Sequence, residues 1–476
     1  MSRKHGVTVR DILKTCREDE IEFVDFKFVD LFGGLQHITF STRALDEGSF
    51  ARGVNFDGSS VRGFQSISES DLVLKPDPST LFRDPFYDDP TVSLICDIMD
   101  PNGYKPYARD PRGVAKRAER LLQSLGLAET ASVGVELEFY LFGDVRFEQS
   151  INHGYYFIDS EAAHHLGSET PERLHRPRAK SGYFAAPPRD TGHNLRGKII
   201  KLMEMAGLEP ELHHHEVGAA GQHEIGFRHA PLLQSADNSI KFKYIVKNTA
   251  ARYSRIATFM PKPLLKQAGS GMHTNISLWR GSENLFYENG KYADLSDLAV
   301  HFVGGLLKHA PAVCAFSAPT TNSYRRLVPG YEAPTILVYS QRNRSACIRV
   351  PFTGANPKTK RIEFRSPDPS CNPYLSLAAI ICAGLDGIRN KIEPPSPVDE
   401  NIYKFATSEH GRLLQATPSS LTESLDALEN DYEFLTRDSV FSEGLIDTWL
   451  RVKREQEVEY LSYRPHPTEF ELYFDA

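Results

Sequence analysis

The segment GVELEFYLF, residues 134–142, constrains the fold most strongly because its residues alternate with the two-residue period of a β-strand. In that period Glu136, Glu138 and Tyr140 lie on one face, and the apolar residues between them lie on the other. Neighbouring carboxylates repel each other unless solvent or a cation intervenes. A divalent-metal site and a solvent-facing strand edge are both open interpretations of this strand.

A second acidic cluster occupies the segment HHHEVGAAGQHEIGF, residues 213–227. Glu216 and Glu224 flank a turn rich in Gly and Ala. The histidines of this segment are His213, His214, His215 and His223. Imidazoles favour zinc or copper and carboxylates favour magnesium or manganese, so the metal depends on which side chains converge. Histidines that are merely hydrogen-bonded in the core or at the surface are the alternative.

Two further segments combine charge with a turn or a strand. In GSGMH, residues 269–273, His273 follows a glycine-rich turn where the backbone can approach a ligand closely. In KRIEFRS, residues 360–366, Arg361, Glu363 and Arg365 share one strand face. A structural histidine and salt-bridged neighbours on a sheet are the alternative interpretations.

Arginines are scattered between turn and strand residues in the segment 322–351. They are Arg325, Arg326, Arg342, Arg344 and Arg349. Guanidinium groups bind carboxylate and phosphate through two hydrogen bonds, so arginines that meet acidic clusters indicate a metal–phosphate site. The chain contains neither a Walker loop nor a G-x-G-x-x-G motif, so any nucleotide is bound by a different fold.

Charge and hydropathy argue against several classes of partner. The 55 basic and 62 acidic side chains leave a net charge of -7, which provides no overall positive field for nucleic acid or an anionic membrane. The amino terminus lacks an apolar signal core, and the longest apolar stretch is shorter than the roughly 20 residues that span a bilayer. We therefore expect a cytoplasmic protein. Its six cysteines lie far apart and are expected to be core thiols.

The patterning predicts a small strand-rich domain followed by a larger one. IEFVDFKFVDLFG and TVSLICDIMD indicate strands, whereas VNFDGSS and KPDPSTLFRDPFYDDP indicate irregular backbone. A helix then begins after Asp110, with Pro111 in its first turn, and stops at Gly126. We place the domain division there, giving domains 1–110 and 111–476.

The larger domain begins with a region that has no sustained period. Residues 143–190 are rich in His, Gly, Pro and charge, which predicts a long functional loop region. Helical patterns follow at residues 195–206, 241–255 and 295–309. Ser420 and Glu423 have the spacing of a capping box ahead of a helical stripe formed by Leu425, Leu428, Tyr432 and Leu435.

Taken together, these segments resemble type I (bacterial) glutamine synthetase over nearly the whole chain. The motifs that match are FDGSS at residues 56–60, the E-x-E of Glu136 and Glu138, HHHEVGAAGQHE, GSGMH, NSYRRLVPGYEAP, RNRSACIRVP, RIEFRSPDPSCNPYLSLAA and HPTEFELYFDA. The resemblance implies an α+β fold, in which a small β-grasp-like N-terminal domain precedes a large catalytic domain built on an antiparallel sheet with flanking helices. It also implies ATP-dependent ligation of ammonia to L-glutamate through γ-glutamyl phosphate, for nitrogen assimilation.

The resemblance further implies roles for individual residues. Two or more Mg²⁺ or Mn²⁺ ions are implied, one held by Glu138, Glu216 and Glu224 and another by Glu136, His273 and Glu363. ATP binding is implied for Ser277, Arg344, Arg349, Lys358 and Arg361, with Arg344 also catalytic and Lys358 near the adenine. Glutamate binding is implied for Gly269, Arg326 and Arg365.

Ammonium binding and assembly are implied in the same way. The implied ammonium pocket consists of Asp57, Ser60, Tyr183 and Glu216, with Asp57 catalytic. Glu332, in the P-G-Y-E flap, is implied to close over the intermediate and to take the proton from the attacking nitrogen. Family members form two stacked six-subunit rings, so a homododecamer is implied in which Asp57 serves an adjacent subunit and the C-terminal tail makes contacts.

The chain also departs from the family pattern. Ala268 replaces the usual Asn before GSGMH, Asn275 stands where many relatives have His, and His229 replaces an aromatic residue beside the ribose. Tyr403 matches a tyrosine that many type I enzymes adenylylate. A γ-glutamyl-amine or polyamine ligase and a non-catalytic ring-forming relative are the alternatives; the retained ammonium-pocket residues argue against the first, and the six retained metal ligands argue against the second.

Overall fold

The structure is a computed structural model that describes residues 8–163, 175–330, 333–354, 356–400, 402 and 414–476. Glu332 and Tyr403, for which the resemblance implies a catalytic and a modification role, lie outside the described residues. The predicted α+β class is confirmed, since a first sheet with short helices precedes a larger sheet flanked by long helices.

The first sheet is formed by the amino-terminal part of the chain. Its strands are β1 (Phe23–Val29), β2 (Leu35–Ser41), β3 (Val54–Asp57), β4 (Asp71–Pro76), β5 (Phe82–Asp84), β6 (Thr91–Asp100) and β7 (Lys105–Pro106), accompanied by helices α1 (Val9–Glu18) and α2 (Glu47–Arg52). The order is β2-β1-β6-β4-β3, with β5 and β7 paired to β6. Strands β1 and β6 pair in parallel, and the other pairs are antiparallel.

The strand predictions for this part are correct in part. The two predicted strands are confirmed as β1 and β6. The irregular backbone predicted for VNFDGSS and for the proline-rich stretch is wrong at β3, at β5 and at Lys75 and Pro76, which end β4. Strands β3 and β5 are short, and their paired residues exclude the adjacent glycine, serine and proline residues, so those residues cost no ladder hydrogen bond.

Helix α3 (Pro111–Ser124) follows the first sheet and begins where the sequence predicts. The Asp110 side chain accepts a hydrogen bond from the backbone N–H of Arg112 at 3.1 Å. Gly126 lies just past the end of the helix at φ +63°, a conformation that favours glycine. The apolar stripe of the helix is buried, including Val114 and Leu122. The domain boundary at residue 110 itself stays a prediction.

Arg112 connects the two parts of the chain. Its side chain is buried, and its Nη1 donates to Asp97 at 2.6 Å while its Nη2 donates to Asp77 at 2.9 Å. Its Nε and Nη2 also donate to the two carboxylate oxygens of Asp237, at 3.0 and 2.9 Å. A buried guanidinium needs partners for its N–H groups, so this arginine fixes the first sheet against the larger part of the chain.

Strand β8 (Thr130–Phe142) contains the predicted GVELEFYLF strand, which is confirmed. It leads into a hairpin of β9 (Asp144–Gln149) and β10 (Gly154–Asp159), which pair antiparallel. The prediction of a loop throughout residues 143–190 is therefore wrong for this hairpin. The aromatic side chains of the hairpin, among them Phe147 and Tyr156, are exposed. The hairpin therefore lacks the alternation of buried and exposed residues that indicates a strand.

The second sheet holds the remaining polar segments. Its further strands are β11 (Pro210–His215), β12 (Gln222–Phe227), β13 (Ala230–Pro231), β14 (Ile256–Thr258), β15 (Met272–Arg280), β16 (Glu283–Asn284), β17 (Tyr339–Gln341), β18 (Ile348–Val350) and β19 (Ile362–Phe364). The order is β11-β12-β8-β15-β19-β18-β17, with β13 and β14 paired to β8 and β16 to β15. The pairs along β8 and β15 are antiparallel, as predicted for the larger sheet, but β17 and β18 pair in parallel at its end.

Helices cover the back of this sheet and fill the core beside it. They are α4 (His193–Met205), α5 (Leu232–Arg252), α6 (Asp297–Ser317), α7 (Ser323–Arg326), α8 (Pro373–Asn390), α9 (Leu421–Asn430), α10 (Glu433–Thr436), α11 (Glu443–Lys453), α12 (Tyr460–Ser462) and α13 (Pro467–Tyr473), with a π-helical turn at Arg454–Glu459 between α11 and α12. The four predicted helices are confirmed as α4, α5, α6 and α9, but their bounds differ.

The differences in bounds have local causes. Helix α5 begins at Leu232, before the predicted start at residue 241. Its first turns are not recognised in the sequence because polar residues such as Asp237, which is buried through hydrogen bonds, interrupt the apolar period. Helix α6 continues through Pro311 to Ser317. Helix α9 has half of the predicted capping box, because Ser420 Oγ accepts from the N–H of Glu423 at 3.1 Å, whereas the Glu423 carboxylate accepts from the N–H of Ser419 rather than of Ser420. The helix ends at Asn430. Tyr432 and Leu435 therefore lie beyond it.

Helix α6 is the one helix among the described residues whose length and composition would allow it to cross a bilayer. Of its most apolar 18-residue stretch, 72% is buried inside the protein, as is usual for a core helix. The prediction that the cysteines are core thiols is confirmed, because all six are free and buried.

Candidate active site

A cavity of about 440 Å³ opens on the face of the second sheet that carries the acidic residues. The sequence-predicted residues in its wall are Glu136, Glu138, Tyr183, Glu216, Glu224, Gly269, His273, Arg326, Arg344, Arg349, Glu363 and Arg365. Glu136 and Glu138 come from β8, Glu224 from β12, His273 from β15 and Glu363 from β19. The sheet thus brings together segments that are far apart in sequence. We call this space the acidic cavity.

Glu136, His273 and Glu363 form one group that could hold a metal ion. One ligand atom from each lies within 4.8 Å of the other two. His273 is directly opposite Glu136 in the pairing of β15 with β8, and its Nδ1 lies 3.4 Å from Glu136 Oε2 and 3.9 Å from Glu363 Oε1. This is the set that the resemblance implies for one of the ions.

A second group consists of His214, Glu216 and Glu224, again with ligand atoms within 4.8 Å of one another. His214 pairs directly with Glu224 between β11 and β12. The resemblance implies Glu138 rather than His214 beside the two glutamates. The sequence assigns His214 no role, because the register of β11 against β12, which brings it to the glutamates, cannot be deduced from sequence alone.

Glu138 lies between the two groups. It is opposite Glu224 in the pairing of β12 with β8, and its Oε1 lies 4.0 Å from His273 Nδ1. Its other oxygen, Oε2, accepts hydrogen bonds from Gln222 Nε2 at 3.0 Å and from the backbone N–H of Gly271 at 2.8 Å. These bonds fix the carboxylate and leave Oε1 for the cavity. No local pattern in the sequence points to this role of Gln222.

The pKa values indicate an excess of buried negative charge. Burial raises the pKa of Glu138 to about 7. Burial, and then the neighbouring carboxylates, raise the pKa of Glu224 well above its usual value. Burial also lowers the pKa of His273, with a contribution from the Arg365 charge, so its imidazole is neutral and able to ligate. The donor set, mainly carboxylate oxygens with two imidazoles, fits magnesium or manganese.

Glu363 is also paired with cations on the arginine side of the cavity. Arg349 Nη1 lies 2.5 Å from Glu363 Oε2, and Arg365 donates to Glu363 Oε1. Burial alone would raise the pKa of Glu363, but the Arg365 charge and the groups beside it lower the pKa overall. Glu363 therefore stays ionised, and it joins the possible metal position to two guanidinium groups.

The glycine-rich turn packs tightly against Arg326. A Cβ at Gly269 would lie 2.7 Å from Arg326 Cγ and 2.8 Å from the carbonyl oxygen of Pro261. Arg326 is buried and donates to the carbonyl oxygens of Ser366 and Arg365, both at 2.9 Å. The absence of a side chain at Gly269 thus lets the backbone lie directly over the arginine.

Several predicted residues lie outside the wall of this cavity. They are Asp57, Ser60, Ser277, Lys358 and Arg361. Asp57 caps its own turn, accepting from the Ser59 N–H at 2.9 Å and from Ser60 Oγ at 2.7 Å. Ser277 accepts from Trp279 Nε1 at 2.9 Å, and Lys358 is exposed in the short turn Pro357–Thr359.

Arg361 reaches the acidic cavity through Asn275. Its Nε donates to Asn275 Oδ1 at 2.9 Å, and Asn275 Nδ2 donates to Glu136 Oε1 at 2.9 Å. Asn275, which stands where many relatives have His, thus has a role that no local pattern in the sequence indicates. Ala268, another departure, lines the cavity, and its carbonyl oxygen accepts a hydrogen bond from the Tyr140 hydroxyl at 2.7 Å.

Comparison with known proteins agrees with this arrangement. The family model "Glutamine synthetase, catalytic domain" matches residues 108–473, and "Glutamine synthetase, beta-Grasp domain" matches residues 20–101. The chain is 50% identical to the glutamine synthetase of Frankia alni over 468 residues, covering 98% of both chains. It is 51% identical to that of Streptomyces coelicolor over 467 residues, covering 98% of this chain and 99% of the relative.

Two solved structures share the fold over nearly the full length. The glutamine synthetase of Plasmodium falciparum, determined by cryo-electron microscopy, superposes with a TM-score of 0.91 at 30% identity and covers 99% of this chain and 100% of that chain. A GmaS/ADP complex superposes with a TM-score of 0.82 at 28% identity and covers 98% of this chain and 100% of that chain.

Proposed function

The chain belongs to the glutamine synthetase family, and we propose that the acidic cavity is where its ligase reaction takes place. The reaction joins ammonia to L-glutamate at the expense of ATP and gives L-glutamine, ADP and phosphate. One observation carries the proposal: groups that bind cations and groups that bind anions line the same cavity, with Glu363 in contact with both. We place this activity in the cytoplasm, in nitrogen assimilation.

We infer two positions for divalent cations, Mg²⁺ or Mn²⁺. Glu136, His273 and Glu363 would hold one ion, and Glu216 and Glu224 would hold the other together with Glu138 or His214. Bound there, the ions would neutralise charge on the phosphates of ATP. The protein's part is to keep Glu138 fixed through Gln222 and Gly271, and to keep His273 neutral.

In the first half-reaction, a γ-carboxylate oxygen of glutamate attacks the γ-phosphorus of ATP, and the bond to the bridging oxygen of ADP breaks. The products are ADP and γ-glutamyl phosphate. We assign Arg344 and Arg349 to the transferring phosphate, whose charge their guanidinium groups would offset. Gly269, Arg326 and Arg365 would bind glutamate. Ser277, Lys358 and Arg361 would bind ATP outside the wall of the acidic cavity.

In the second half-reaction, the nitrogen of ammonia attacks the γ-carbonyl carbon and phosphate leaves with the electrons of the carbon–oxygen bond. The attacking nitrogen must then lose a proton, a role we assign to Glu332. We assign ammonium binding to Tyr183 and Glu216 in the cavity, together with Asp57 and Ser60. A carboxylate at this position attracts ammonium and can accept its proton.

Because Asp57 and Ser60 do not line the cavity of their own chain, we propose that they serve a neighbouring subunit in a dodecamer of two hexameric rings. Subunit mixing tests this arrangement. Asp57→Ala and Glu363→Gln subunits, each inactive alone, would regain activity when assembled together, since some sites would combine intact halves. No recovery in mixed assemblies of confirmed composition would contradict shared sites.

A substrate panel tests the function as a whole. Phosphate release from ATP with L-glutamate would be compared for ammonium, methylamine, ethylamine and spermidine. We expect ammonium to give the highest kcat/KM, because the proposed pocket is polar and cation-binding. Higher kcat/KM with ethylamine or spermidine would favour a γ-glutamyl-amine ligase, and no release with any amine would favour a non-catalytic relative.

A further inference from the structure

A second cavity, of about 240 Å³, lies behind the strands that carry the acidic groups. Leu141 of β8 and His223 of β12 line it, together with the beginning of α4 and residues that follow α5. His223 pairs with Phe139, whereas Glu224 pairs with Glu138, so these neighbours point to opposite faces of the sheet. The second cavity is therefore separate from the acidic cavity, and we call it the rear cavity.

His223 presents a buried hydrogen-bond donor to the rear cavity. Its side chain is 2% exposed, and its Nδ1 lies 2.8 Å from Arg196 Nη1. A guanidinium can only donate, so Nδ1 must accept and the ring proton must be on Nε2. Asp190 holds Arg196 in place through bonds of 3.0 and 2.6 Å. No residue in the described ranges forms a hydrogen bond with His223 Nε2, which leaves that N–H for an occupant of the cavity.

The beginning of helix α4 provides further donors. The helix has 13 residues, its N-cap Gly192 makes no side-chain capping bond, and its first turn contains no acidic residue. Gly192, Asn194 and Leu195 line the rear cavity. The Gly192 N–H donates to Asp190 Oδ1 at 3.2 Å, whereas the N–H groups of His193, Asn194 and Leu195 have no hydrogen-bond partner among the described residues. These free N–H groups and the positive end of the helix dipole favour an anion.

The charged residues around the rear cavity also favour an anion. Lys198 and Arg255 are its cations, and Glu161 is its acidic residue. Glu161 is already paired with Arg255 at 2.5 Å, and no carboxylate of the described residues pairs with Lys198. Among the described residues, one positive charge is therefore left over, next to the helix terminus and the His223 N–H.

We propose that the rear cavity binds a small carboxylate or phosphate anion between Lys198, the start of α4 and His223. The occupant must be small, because the cavity is below the roughly 300–1,000 Å³ of pockets that hold drug-sized ligands. Its anionic group accepts from the helix N–H groups and from His223 Nε2 while Lys198 neutralises the charge. This site is additional to those for ATP, glutamate and ammonium.

Chemical labelling of lysines in the intact enzyme tests this proposal without any need for catalysis. Acetylation rates of Lys198 and Lys201 would be followed by peptide mass spectrometry, with succinate or inorganic phosphate as the probe and sodium chloride at equal ionic strength as the control. Lys201 is exposed on the same helix but does not line the cavity, so it reports non-specific effects.

We expect the probe to slow acetylation of Lys198 saturably, by about tenfold at ten times its Kd, and to leave Lys201 unaffected. If only succinate slows acetylation of Lys198, the site is a carboxylate site, and if only phosphate slows it, the site is a phosphate site. If both slow it, the site binds anions in general. Equal rates with and without probe, equal slowing of both lysines, or the same slowing in sodium chloride would overturn the proposal.

A pair of variants gives an independent measurement. Succinate should raise the Tm of wild type and of Lys201→Gln to the same extent, and raise that of Lys198→Gln less, because only the latter loses the cation of the rear cavity. Both lysines are exposed, so both variants are expected to fold. The same increase in Tm for the two variants would contradict the assignment.

Discussion

The side-chain amide of Asn275 donates a hydrogen bond to Glu136 Oε1 at 2.9 Å. The same amide accepts from Arg361 Nε at 2.9 Å, so one residue links a possible metal ligand to a possible phosphate-binding group. The bond to Glu136 uses Oε1, whereas Oε2 is the oxygen nearest His273. Asn275 therefore orients the carboxylate with one oxygen directed towards the metal position that Glu136 shares with His273 and Glu363.

Replacing Asn275 with Ala should weaken binding of metal–ATP. Each hydrogen bond to a charged group contributes about 1.5–3 kcal/mol, so the KM for Mg–ATP should increase by about 10- to 100-fold while kcat falls less. Asn275→His should retain most of the affinity, because an imidazole can also donate to one partner and accept from the other. Equal KM values for wild type and Asn275→Ala would contradict the linking role.

Replacing Glu363 with Gln should reduce metal affinity and phosphoryl transfer together. The change removes a charged ligand and leaves Arg349 and Arg365 without their shared carboxylate. Mn²⁺ titration followed by electron paramagnetic resonance should show weaker binding than in Glu148→Gln, a control on the exposed β9 strand. An unchanged titration in the folded variant would refute the ligand assignment.

Adding one methyl group at Gly271 should impair catalysis. A Cβ there would lie 2.7 Å from Arg326 Nη2 and 2.8 Å from His273 Nε2, closer than atoms can pack. We expect Gly271→Ala to reduce kcat/KM for glutamate by at least about tenfold, equivalent to about 1.4 kcal/mol. Gly444→Ala is the control, because no atom lies within 4 Å of a Cβ at that exposed position. Similar kcat/KM values for the two variants would contradict this prediction.

Glu332→Ala should separate the two half-reactions. If Glu332 takes the proton from the attacking nitrogen, glutamine formation should fall by about 100-fold or more, as for loss of a general base. Formation of γ-glutamyl phosphate in a single turnover should change much less. Glu211→Ala, on the exposed part of β11, provides the control. Equal losses in both half-reactions would argue against this role.

The buried pair of His309 and Asp386 should make stability depend on pH. Burial lowers the pKa of His309, but hydrogen bonds to Asp386 and Asp431 outweigh this and raise the pKa above 6.5. The folded state therefore holds the proton more tightly than the unfolded state. The charged imidazole contributes fully below about pH 6.5, and its contribution is lost as the pH rises through the folded pKa.

Urea unfolding of wild type and His309→Gln at about pH 6 and about pH 9 checks this sign. At the lower pH the variant should be less stable by about 3 kcal/mol, the lower end for a buried pair, because Asp431 is partly exposed. The difference should shrink at the higher pH. His301→Gln, whose partner Glu393 is exposed, should show little effect at either pH. A difference in the free energy of unfolding between wild type and His309→Gln that grows with pH would contradict this prediction.

The sequence predicted the acidic strand because its alternating pattern is local. Two glutamates two residues apart on a strand must share a face, as β8 confirms. The resemblance of the motifs to glutamine synthetase indicated the cavity residues that lie on the other strands. What brings them together, the pairing of β8 with β12 and β15, depends on contacts distant in sequence.

The features that sequence reasoning missed depend on such distant contacts. His214 comes to Glu224 through the register of β11 against β12, which no local pattern specifies. Gln222 fixes Glu138 across two strands, and Asn275 links Glu136 to Arg361 in the same way. The hairpin of β9 and β10 was missed because its exposed aromatic side chains give no apolar alternation.

The pairing of Arg112 with Asp77, Asp97 and Asp237 limits how the chain can be recombined with relatives. A chimera that exchanged only the amino-terminal segment would inherit Asp77 and Asp97 from one parent and Arg112 with Asp237 from the other. Unless both parents carry aspartates at positions 77 and 97, the buried guanidinium would lose two of its three carboxylate partners. Evolutionary exchange of the amino-terminal segment is therefore restricted to partners that share this junction.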